Sequence, residues 1–388
     1  MIYFTAGESH GPELTGIIEG FPAGLPLSVD HINGKLNARQ QGYGRGYRQK
    51  IEHDHVQLTS GVRHGRTLGS PITLKIANID HKHWNEIMDP VQPPAPETNL
   101  RDVKFPRPGH ADLVGGMKYG HRDLRNVLER SSARETAMRV AIGAICMQLL
   151  NVLGIQIAGY VRQIGSITCD ADQLLMPEAI EQAISQNDLR IVSQGQVETI
   201  HAYIDQTKKA GDTLGGTIRV VAANVPAGLG SYTSWNEKLD AKIAAAVIGV
   251  NAIKGVTFGD GSSLAGKPGS EVMDPIYWEA GQGWYRSSNH LGGFEGGMTN
   301  GMPLVINAVM KPIPTLYKPL HSVSIDTKEA HKASVERSDV TAIVPASLII
   351  ESVVAIELTK SILDTFDCAS MARLTQQYRA YCEEIRTY

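Results

Sequence analysis

The sequence contains little cysteine, few aromatic residues and no long uninterrupted apolar run. Its 388 residues include four cysteines, far apart and without a CxxC pair. We therefore expect reduced, mostly buried thiols in a cytoplasmic protein, without a disulfide framework or redox motif. The N-terminus lacks the basic and apolar regions of a signal peptide. The most apolar stretch, residues 140–161, is interrupted by Gln148, Asn151 and Gln156, which predicts a buried helix followed by a turn and no membrane span.

Positive charge is not in excess. The chain has 37 Lys and Arg against 40 Asp and Glu, a formal net charge of −3, which argues against nucleic acid as the main partner. A P-loop and a Rossmann glycine fingerprint are both missing, so any nucleotide must be bound by another architecture. The strings His-Asp-His at 53–55 and His-Lys-His at 81–83 lack a third ligand at a recognised spacing, and we predict no metal.

Against this background, residues 42–48 are unusual: they read Gly-Tyr-Gly-Arg-Gly-Tyr-Arg and follow Arg39 by three positions. Glycine lets the backbone approach a bound group closely, and arginine grips carboxylate or phosphate through a planar fork. The loop is therefore typical of a site for a small ligand with several negative charges. A solvated Arg-Gly surface loop is the alternative.

The second half of the chain resembles the first at a nearly fixed offset. Five short matches occur in the same order. They pair residues 7–11 with 211–215, 22–24 with 226–228, 35–39 with 238–242, 65–71 with 297–303, and 128–131 with 335–338. We therefore expect residues 1–388 to form a single domain built from two related halves, about 1–160 and 200–388.

The sequence patterns predict the same secondary-structure elements in each half. Glycine turns lead into strands at 72–76 and 304–308, and helices are expected over 29–41 and 235–250. Ser132 with Glu135 predicts a capping box for a long helix ending near Gly154, and Pro345 suits the first turn of a matching helix reaching about Phe366. The long helices are apolar on most faces, which places them at the centre of an α+β molecule, and we expect its strands to be antiparallel. Two irregular segments, 80–112 and 266–297, interrupt the scheme, and long ordered loops are usually functional.

Two histidines are candidate acids or bases. His10 lies inside a glycine turn, and His110 follows Arg-Pro-Gly and precedes Ala-Asp. An imidazole exchanges protons near neutral pH, and a glycine setting leaves room for substrate beside it. The alternative is that both rings only hydrogen-bond loop backbone.

Three further strings are candidates for anion or cofactor binding. Residues 130–134, Arg-Ser-Ser-Ala-Arg, open the first long helix with hydroxyls and amides that suit an anion; alternatively Ser132 is only an N-cap and Arg134 pairs with an acid. At the equivalent place in the second half, Asp339 is a base or, more simply, a helix cap. Residues 311–315, Lys-Pro-Ile-Pro-Thr, follow a strand and form either a phosphate or cofactor contact or a plain turn.

Together these strings resemble the chorismate synthase family. The resemblance covers essentially the whole chain in the family's order, and the strings are specific to the family. It is carried by residues 7–11, 42–48, 107–112, 130–136, 296–301 and 337–339.

The resemblance implies a carbon–oxygen lyase of the shikimate pathway of aromatic amino acid biosynthesis. Its reaction converts 5-enolpyruvylshikimate 3-phosphate to chorismate and phosphate by an anti 1,4-elimination that requires reduced FMN (FMNH2) without net redox change. The substrate's two carboxylates and phosphate carry about four negative charges, which explains the arginines. The implied fold is a pseudo-twofold duplicated β-α-β sandwich, with central helices between two antiparallel sheets, and the implied assembly is a homotetramer.

Roles for individual residues also follow from the resemblance. His10 would protonate the departing phosphate, His110 would lie near the flavin and protonate it, and Asp339 would assist removal of the proton at carbon 6. Substrate contacts are implied for Arg39, Arg45, Arg48, Arg107 and Arg134. Flavin contacts are implied for Arg130, Ser131, Ser132, Asn251, Ala252, Gly296, Lys311, Pro312, Ile313, Pro314, Thr315 and Arg337.

Other readings stay open at this point. The family pattern associates Arg39 and Arg45 with NADPH as a reductant, whereas the chain has little room for a reductase domain, which favours an external flavin reductase. One rival is a flavin-dependent oxidoreductase acting on a small polyanionic substrate. Another is a polyanion-binding or scaffold protein that uses residues 39–48 as a surface patch.

Overall fold

The structure, a computed structural model, describes residues 1–46, 52–93, 95, 101–171, 173–336 and 338–388. Arg48 and Arg337, both expected in the site, lie outside the described residues. The strands are β1 Ile2–Ala6, β2 Glu13–Glu19, β3 Val56–Ser60, β4 Val62–Arg63, β5 Arg66–Thr67, β6 Ile72–Ala77, β7 Gln156–Ile164, β8 Ile167–Thr168, β9 Gly216–Ala223, β10 Ile253–Phe258, β11 Ile276–Glu279, β12 Gly283–Arg286, β13 Phe294–Glu295, β14 Met298–Thr299, β15 Leu304–Met310, β16 His321–Val323 and β17 Ala330–Lys332. The α-helices are α1 Val29–Gln40, α2 Asp112–Tyr119, α3 Arg125–Ser131, α4 Thr136–Val152, α5 Pro177–Ile184, α6 Val197–Lys209, α7 Leu239–Ile248, α8 Ile343–Thr365 and α9 Met371–Thr387.

Two antiparallel sheets contain most of the strands. The first has the order β1-β2-β6-β3, and the second has the order β10-β15-β9-β7-β8. In each half the first two strands pair, a helix follows, and the fourth strand inserts between the second and the third. The second sheet therefore repeats the connectivity of the first and adds β8 at its edge.

The long helices α4 and α8 lie between the sheets. Helix α4 packs against β2 and β6, α8 packs against β7 and β9, and the two helices pack against each other. Both are apolar around nearly their whole circumference, which is typical of helices buried on all sides. At Gly143 they approach so closely that an added Cβ atom would collide with the side chain and backbone of Ser352. The predicted sandwich with central helices is confirmed.

One local motif occurs twice. The hydroxyl of Thr67 donates to a carbonyl at 2.6 Å and accepts from an amide at 2.9 Å, and Thr299 makes the same two bonds at the same distances. The carbonyls belong to Pro22 and Pro226, which the sequence repeat aligns, and the amides belong to Leu25 and Leu229, which directly follow the aligned strings 22–24 and 226–228.

The start of the first long helix differs from the prediction. Ser132 accepts from the amide of Arg134 at 3.3 Å, but it caps a 3₁₀ turn, Ala133–Glu135, and α4 begins only at Thr136. The carboxylate of Glu135 pairs with Arg139 at 3.1 Å. The predicted capping box was therefore wrong, because Glu135 has a stronger, charged partner one turn ahead.

The other predicted elements fall close to their positions. Helix α8 runs over Ile343–Thr365 with Pro345 in its first turn, and α1 covers Val29–Gln40. The helix predicted over 235–250 is a 3₁₀ turn, Trp235–Glu237, followed by α7. All four cysteines are free thiols, two buried and two partly buried. Within the described ranges, no helix combines the length and the apolar character needed to cross a membrane.

Candidate active site

A cavity of about 610 Å³ lies where the two halves meet. Thr136 at the start of α4 and Pro345 in the first turn of α8 both line it, so the N-terminal ends of both central helices face the same space. The partial positive charge of a helix N-terminus favours an anion. The two repeated halves thus converge on one site that suits negative charge.

His10 is held in this cavity by a buried glutamate. Its Nδ1 lies 2.8 Å from Oε1 of Glu129, and its backbone amide donates to Oε2 at 2.8 Å. The carboxylate also accepts from Arg125 at 3.3 Å. Burial raises the pKa of Glu129, but its bonds to His10 and the charge of Arg125 outweigh burial and hold the pKa below its usual range. Glu129 is therefore an ionised acceptor at neutral pH.

The His10 ring is also stacked on Trp84. The ring centroids are 3.9 Å apart at an interplanar angle of 27°. The guanidinium carbons of Arg101 and Arg125 lie 4.1 and 5.0 Å from the centroid of the same indole. Since Trp84 is itself buried, the imidazole is fixed by a hydrogen bond at its edge and by a stack on its face.

His110 has a similar carboxylate partner. Its Nδ1 lies 2.6 Å from Oδ1 of the fully buried Asp112, whose Oδ2 accepts from Nε of Arg107 at 2.8 Å. Burial raises the pKa of Asp112, but His110 and Arg107 together hold it well below its ordinary value. Nη1 of Arg107 also donates to the hydroxyl of Thr315 at 2.9 Å. This bond joins the irregular segment of the first half to the second half.

Arg39 and Arg134 share one buried carboxylate. Asp54 accepts from Nη1 of Arg134 at 2.6 Å and lies 3.5 Å from Nη1 of Arg39. Arg134 also donates to Asn78 at 2.8 Å, and Arg39 to the hydroxyl of Thr136 at 3.1 Å. Burial lowers the pKa of Arg39 to about 10, Asp54 offsets part of this, and the neighbouring arginines add to it. Arg39 therefore stays charged at neutral pH, and both guanidinium groups line the cavity.

Arg45 and Asp339 form an ion pair between the halves. Nη1 of Arg45 lies 2.9 Å from Oδ2 of Asp339, and the amide of Gly46 donates to Oδ1 at 2.5 Å. Burial lowers the pKa of Arg45, and the negative charge of Asp339 offsets part of that decrease. The expectation that Asp339 caps a helix was wrong, because α8 begins four residues later and Ala342 occupies its N-cap position.

One wall of the cavity suits a flat, partly apolar group. Residues 311, 313, 314 and 315 line it together with Asn251, Ala252, Ser131 and Ser132. Nζ of Lys311 has no hydrogen-bond or ion-pair partner among the described residues, and burial together with the charge of Lys254 lowers its pKa. At Gly109, with φ +77°, an added Cβ would lie 3.7 Å from both Nζ of Lys311 and Pro314. The apolar part of this wall suits the face of a flavin ring, and the ammonium group of Lys311 suits the polar edge of that ring.

Three of the residues expected at the flavin do not line this cavity. Arg130 is exposed and donates to the carbonyls of Gly7 and Thr5 at 3.1 and 2.7 Å. Gly296 is exposed near Tyr232, and Pro312 is exposed between two lining residues. The remaining expected residues within the described ranges come together in the cavity.

Sequence reasoning missed the residues that hold this site in place. Asp54, Asp112, Glu129 and Trp84 were not singled out, although Asp54 lies in a string considered only for metal binding and Asp112 in the string that carries His110. Glu129 lies in the repeated string 128–131, and that repetition was the available signal. Over the described part of the chain, no three His, Cys, Asp or Glu side chains are grouped so that they could hold a metal ion.

Comparison with known proteins identifies relatives of the whole chain. The family model described as chorismate synthase matches residues 1–363. The chorismate synthase of Lactiplantibacillus plantarum is 65% identical over 386 residues, covering 100% of this chain and 99% of that protein. That of Limosilactobacillus fermentum is 61% identical over 388 residues, covering 100% of both. A solved crystal structure of a chorismate synthase has a TM-score of 0.81 at 38% identity and covers 100% of this chain and 98% of that one.

Proposed function

The chain belongs to the chorismate synthase family, and we propose that this cavity carries out the family's reaction. The enzyme is a carbon–oxygen lyase that forms chorismate. In the proposed reaction, 5-enolpyruvylshikimate 3-phosphate loses its phosphate and the proton at carbon 6 in an anti 1,4-elimination. The electron pair of the C–H bond at carbon 6 enters the new conjugated double bonds, and the electron pair of the carbon–oxygen bond leaves with the phosphate, so there is no net redox change.

The observation that carries this proposal is the concentration of fixed positive charge in an enclosed space. Among the described residues, the lining includes six arginines and one lysine against three carboxylates: Arg39, Arg45, Arg101, Arg107, Arg125, Arg134 and Lys311, and Glu52, Glu336 and Asp339. Asp54, Asp112 and Glu129 are not among the lining residues, but they pair with four of these arginines and hold them in place. A substrate with two carboxylates and a phosphate would accept charge-assisted hydrogen bonds from the remaining N–H groups of the arginines and from Lys311. We propose Arg39, Arg45, Arg107 and Arg134 as its contacts, together with Arg48, which lies outside the described residues.

His10 is the proposed acid for the leaving group. A phosphate ester dianion leaves poorly unless a proton is added, and an imidazolium can supply one near neutral pH. His10 lines the cavity with its Nδ1 turned to Glu129. The proton would therefore pass from Nε2, on the far side of the ring, to a phosphate oxygen.

Reduced FMN would supply an electron-rich ring that can lend charge while the carbon–oxygen bond breaks. Asn251, Ala252, Ser131, Ser132 and the segment 311–315 would hold it. We also propose a contact from Arg337, which lies outside the described residues. His110, held by Asp112, would exchange a proton at the flavin, and the carboxylate of Asp339 would assist removal of the proton at carbon 6.

We also propose an assembly, a location and a source of reduced flavin. The enzyme would be a homotetramer in the cytoplasm, with its 388 residues forming a single domain of two related halves. Its FMN would be reduced by an external reductase, with NADPH at Arg39 and Arg45 as the alternative. The repeated strand order supports the two halves, and the free thiols suit a reducing compartment.

The test is anaerobic incubation with reduced FMN and 5-enolpyruvylshikimate 3-phosphate, following phosphate, chorismate and flavin oxidation together. We expect phosphate and chorismate in equal amounts, and many of each for every flavin, which stays reduced. Stoichiometric oxidation of the flavin would instead identify an oxidoreductase. No release of either product would refute the proposal.

A further inference from the structure

We propose that Glu129 is the positioning residue of the acid: it fixes the His10 ring with Nδ1–H toward its own carboxylate and Nε2 toward the cavity, and it compensates the charge of the protonated ring. This inference rests on the proposed role of His10 as the proton donor to the phosphate. It adds a carboxylate that never touches substrate but determines which nitrogen of the acid does.

The geometry ties the carboxylate to both the ring and its backbone. Glu129 contacts Nδ1 through Oε1 at 2.8 Å and Oε2 at 3.0 Å, and it accepts the amide of His10 at 2.8 Å. Its own backbone carbonyl accepts the amide of Ser9 at 3.0 Å. Since Glu129 is 3% exposed, these bonds are shielded from water. A charged hydrogen bond is stronger in such a buried environment than in water.

The charge state of Glu129 selects the tautomer of His10. A carboxylate can only accept hydrogen bonds, and the pKa of Glu129 lies below its usual range. A neutral His10 facing that carboxylate must therefore carry its hydrogen on Nδ1. The lone pair of Nε2, or the proton of Nε2 when the ring is charged, then lies on the side of the ring away from Glu129.

Arg125 connects this pair to the second half of the chain. Its Nη1 donates to Glu129 at 3.3 Å, and its Nη2 donates to Glu336 at 3.1 Å. Glu129 and Glu336 are the equivalent glutamates of the repeated strings 128–131 and 335–338. Among the described residues, Glu129 is bonded to an imidazole and Glu336 is not, so this role would have arisen in one half alone.

The other polar neighbours of His10 come from separate elements. His81, in the 3₁₀ turn Ile79–His83, has its Nδ1 2.8 Å from the backbone carbonyl of His10. Arg101 and Arg125 reach the indole of Trp84 on which the ring is stacked. Of these charged groups, Glu129 is the negative one bonded to the ring, and it therefore balances the imidazolium most directly.

The proton transfer balances without a further reactant. With the ring protonated, Nε2–H donates its proton to the phosphate oxygen as the carbon–oxygen bond breaks, and the electron pair of that bond leaves with the phosphate. The ring is left neutral with hydrogen on Nδ1, the tautomer that Glu129 selects. A proton from solvent then restores the acid.

The kinetic test uses Glu129→Gln, which keeps the shape and one acceptor but removes the charge. We expect kcat to fall about 10- to 100-fold, a part of what a general acid contributes, with KM for the substrate nearly unchanged, and the alkaline limb of the kcat profile to move to lower pH. Glu129→Asp should recover part of the activity. Glu135→Gln is the matched control, a buried glutamate paired with an arginine four residues away but with no imidazole, and it should keep kcat within about twofold.

A double-mutant cycle with His10→Ala separates the positioning role of Glu129 from the acid role of His10. We expect Glu129→Gln to cost nothing further in the His10→Ala background, because Glu129 acts through His10. An additional loss there, or an active Glu129→Gln enzyme beside an inactive His10→Ala enzyme, overturns the Glu129 inference alone. Full turnover by His10→Ala overturns the acid role and this inference with it.

Nitrogen-15 NMR of labelled histidine gives a readout that does not depend on turnover. The His10 signals are identified by their loss in His10→Ala. We expect the neutral ring of the wild-type enzyme to carry its hydrogen on Nδ1. A neutral ring with its hydrogen on Nε2 would overturn the inference even if Glu129→Gln were inactive.

Discussion

Arg45 of the first half lies 2.9 Å from Asp339 of the second half, inside the cavity that both halves line. Asp339 also accepts the amide of Gly46, so the glycine-arginine loop is attached to the segment before α8. The loop and the carboxylate therefore hold each other in place. A cation proposed for substrate binding and a carboxylate proposed for proton transfer are thus one structural unit.

Asp339→Asn should separate these roles. Asparagine can still accept a hydrogen bond from the amide of Gly46 but cannot neutralise the positive charge of Arg45. We expect kcat to fall about 100-fold or more, the scale of a lost acid–base group, while KM for the phosphorylated substrate stays constant or falls because the cavity becomes more positive. Steady-state kinetics under anaerobic conditions measure both, with Asp188→Asn, which pairs with His201 outside the cavity, as the control. A parallel loss in kcat and rise in KM would assign Asp339 a structural role only.

Arg134→Lys tests the shared carboxylate. Arg134 donates to both Asp54 and Asn78, and a lysine cannot reproduce that planar fork. We expect KM for the substrate to rise about tenfold or more, the cost of one charge-assisted hydrogen bond. Arg373→Lys, at an exposed pair with Asp367, should leave KM unchanged. An unchanged KM in Arg134→Lys would exclude this arginine from the substrate contacts.

Thr67→Val and Thr299→Val test the equivalence of the two halves. Each substitution keeps the side-chain shape but leaves a buried amide and carbonyl without the hydroxyl. We expect each to lower the free energy of unfolding by about 1–3 kcal/mol, by similar amounts. Denaturant unfolding measures this, with Thr168→Val on an exposed strand position as the control. A large effect in one half only would show that the repeated hydrogen bonds are not energetically equivalent.

Asp112→Asn tests the buried carboxylate that holds His110. The folded-state pKa of Asp112 lies below its ordinary value, so its stabilising effect is complete above the unfolded pKa, near 3.9, and is lost as the pH falls toward the folded value. We expect wild type to exceed Asp112→Asn in stability by about 1–3 kcal/mol at pH 7, and the difference to shrink as pH falls below about 4. Denaturant unfolding across this range measures it, with the exposed Asp30→Asn as control. A difference independent of pH would contradict the assigned ionisation.

Much of the fold was predictable from residue patterns alone. The apolar surfaces of α4 and α8 and the nearly fixed offset between the halves indicated central helices and antiparallel strands repeated in each half, and the structure contains both. The sandwich of two sheets was implied by the family resemblance. The boundary errors have local causes. Glu135 pairs with Arg139 instead of completing a capping box, and Asp339 binds Arg45 instead of capping α8.

Of the site residues, the sequence indicated mainly the histidines and the arginines. His10, His110 and the arginines stood out in glycine-rich strings, whereas Asp54, Asp112 and Glu129 did not. A buried carboxylate is informative only once its partner is known, and the partner of Glu129 lies 119 positions away in the chain. The placement of Arg130 outside the cavity likewise follows from its bonds to strand-end carbonyls, which no local pattern indicates.

The most direct test of the account is a crystal structure with FMN and 5-enolpyruvylshikimate 3-phosphate bound together. We expect both ligands in the cavity between the halves, the flavin against residues 311–315 and the substrate phosphate within hydrogen-bond distance of Nε2 of His10. Substrate bound with its phosphate away from His10, or either ligand bound outside this cavity, would contradict it.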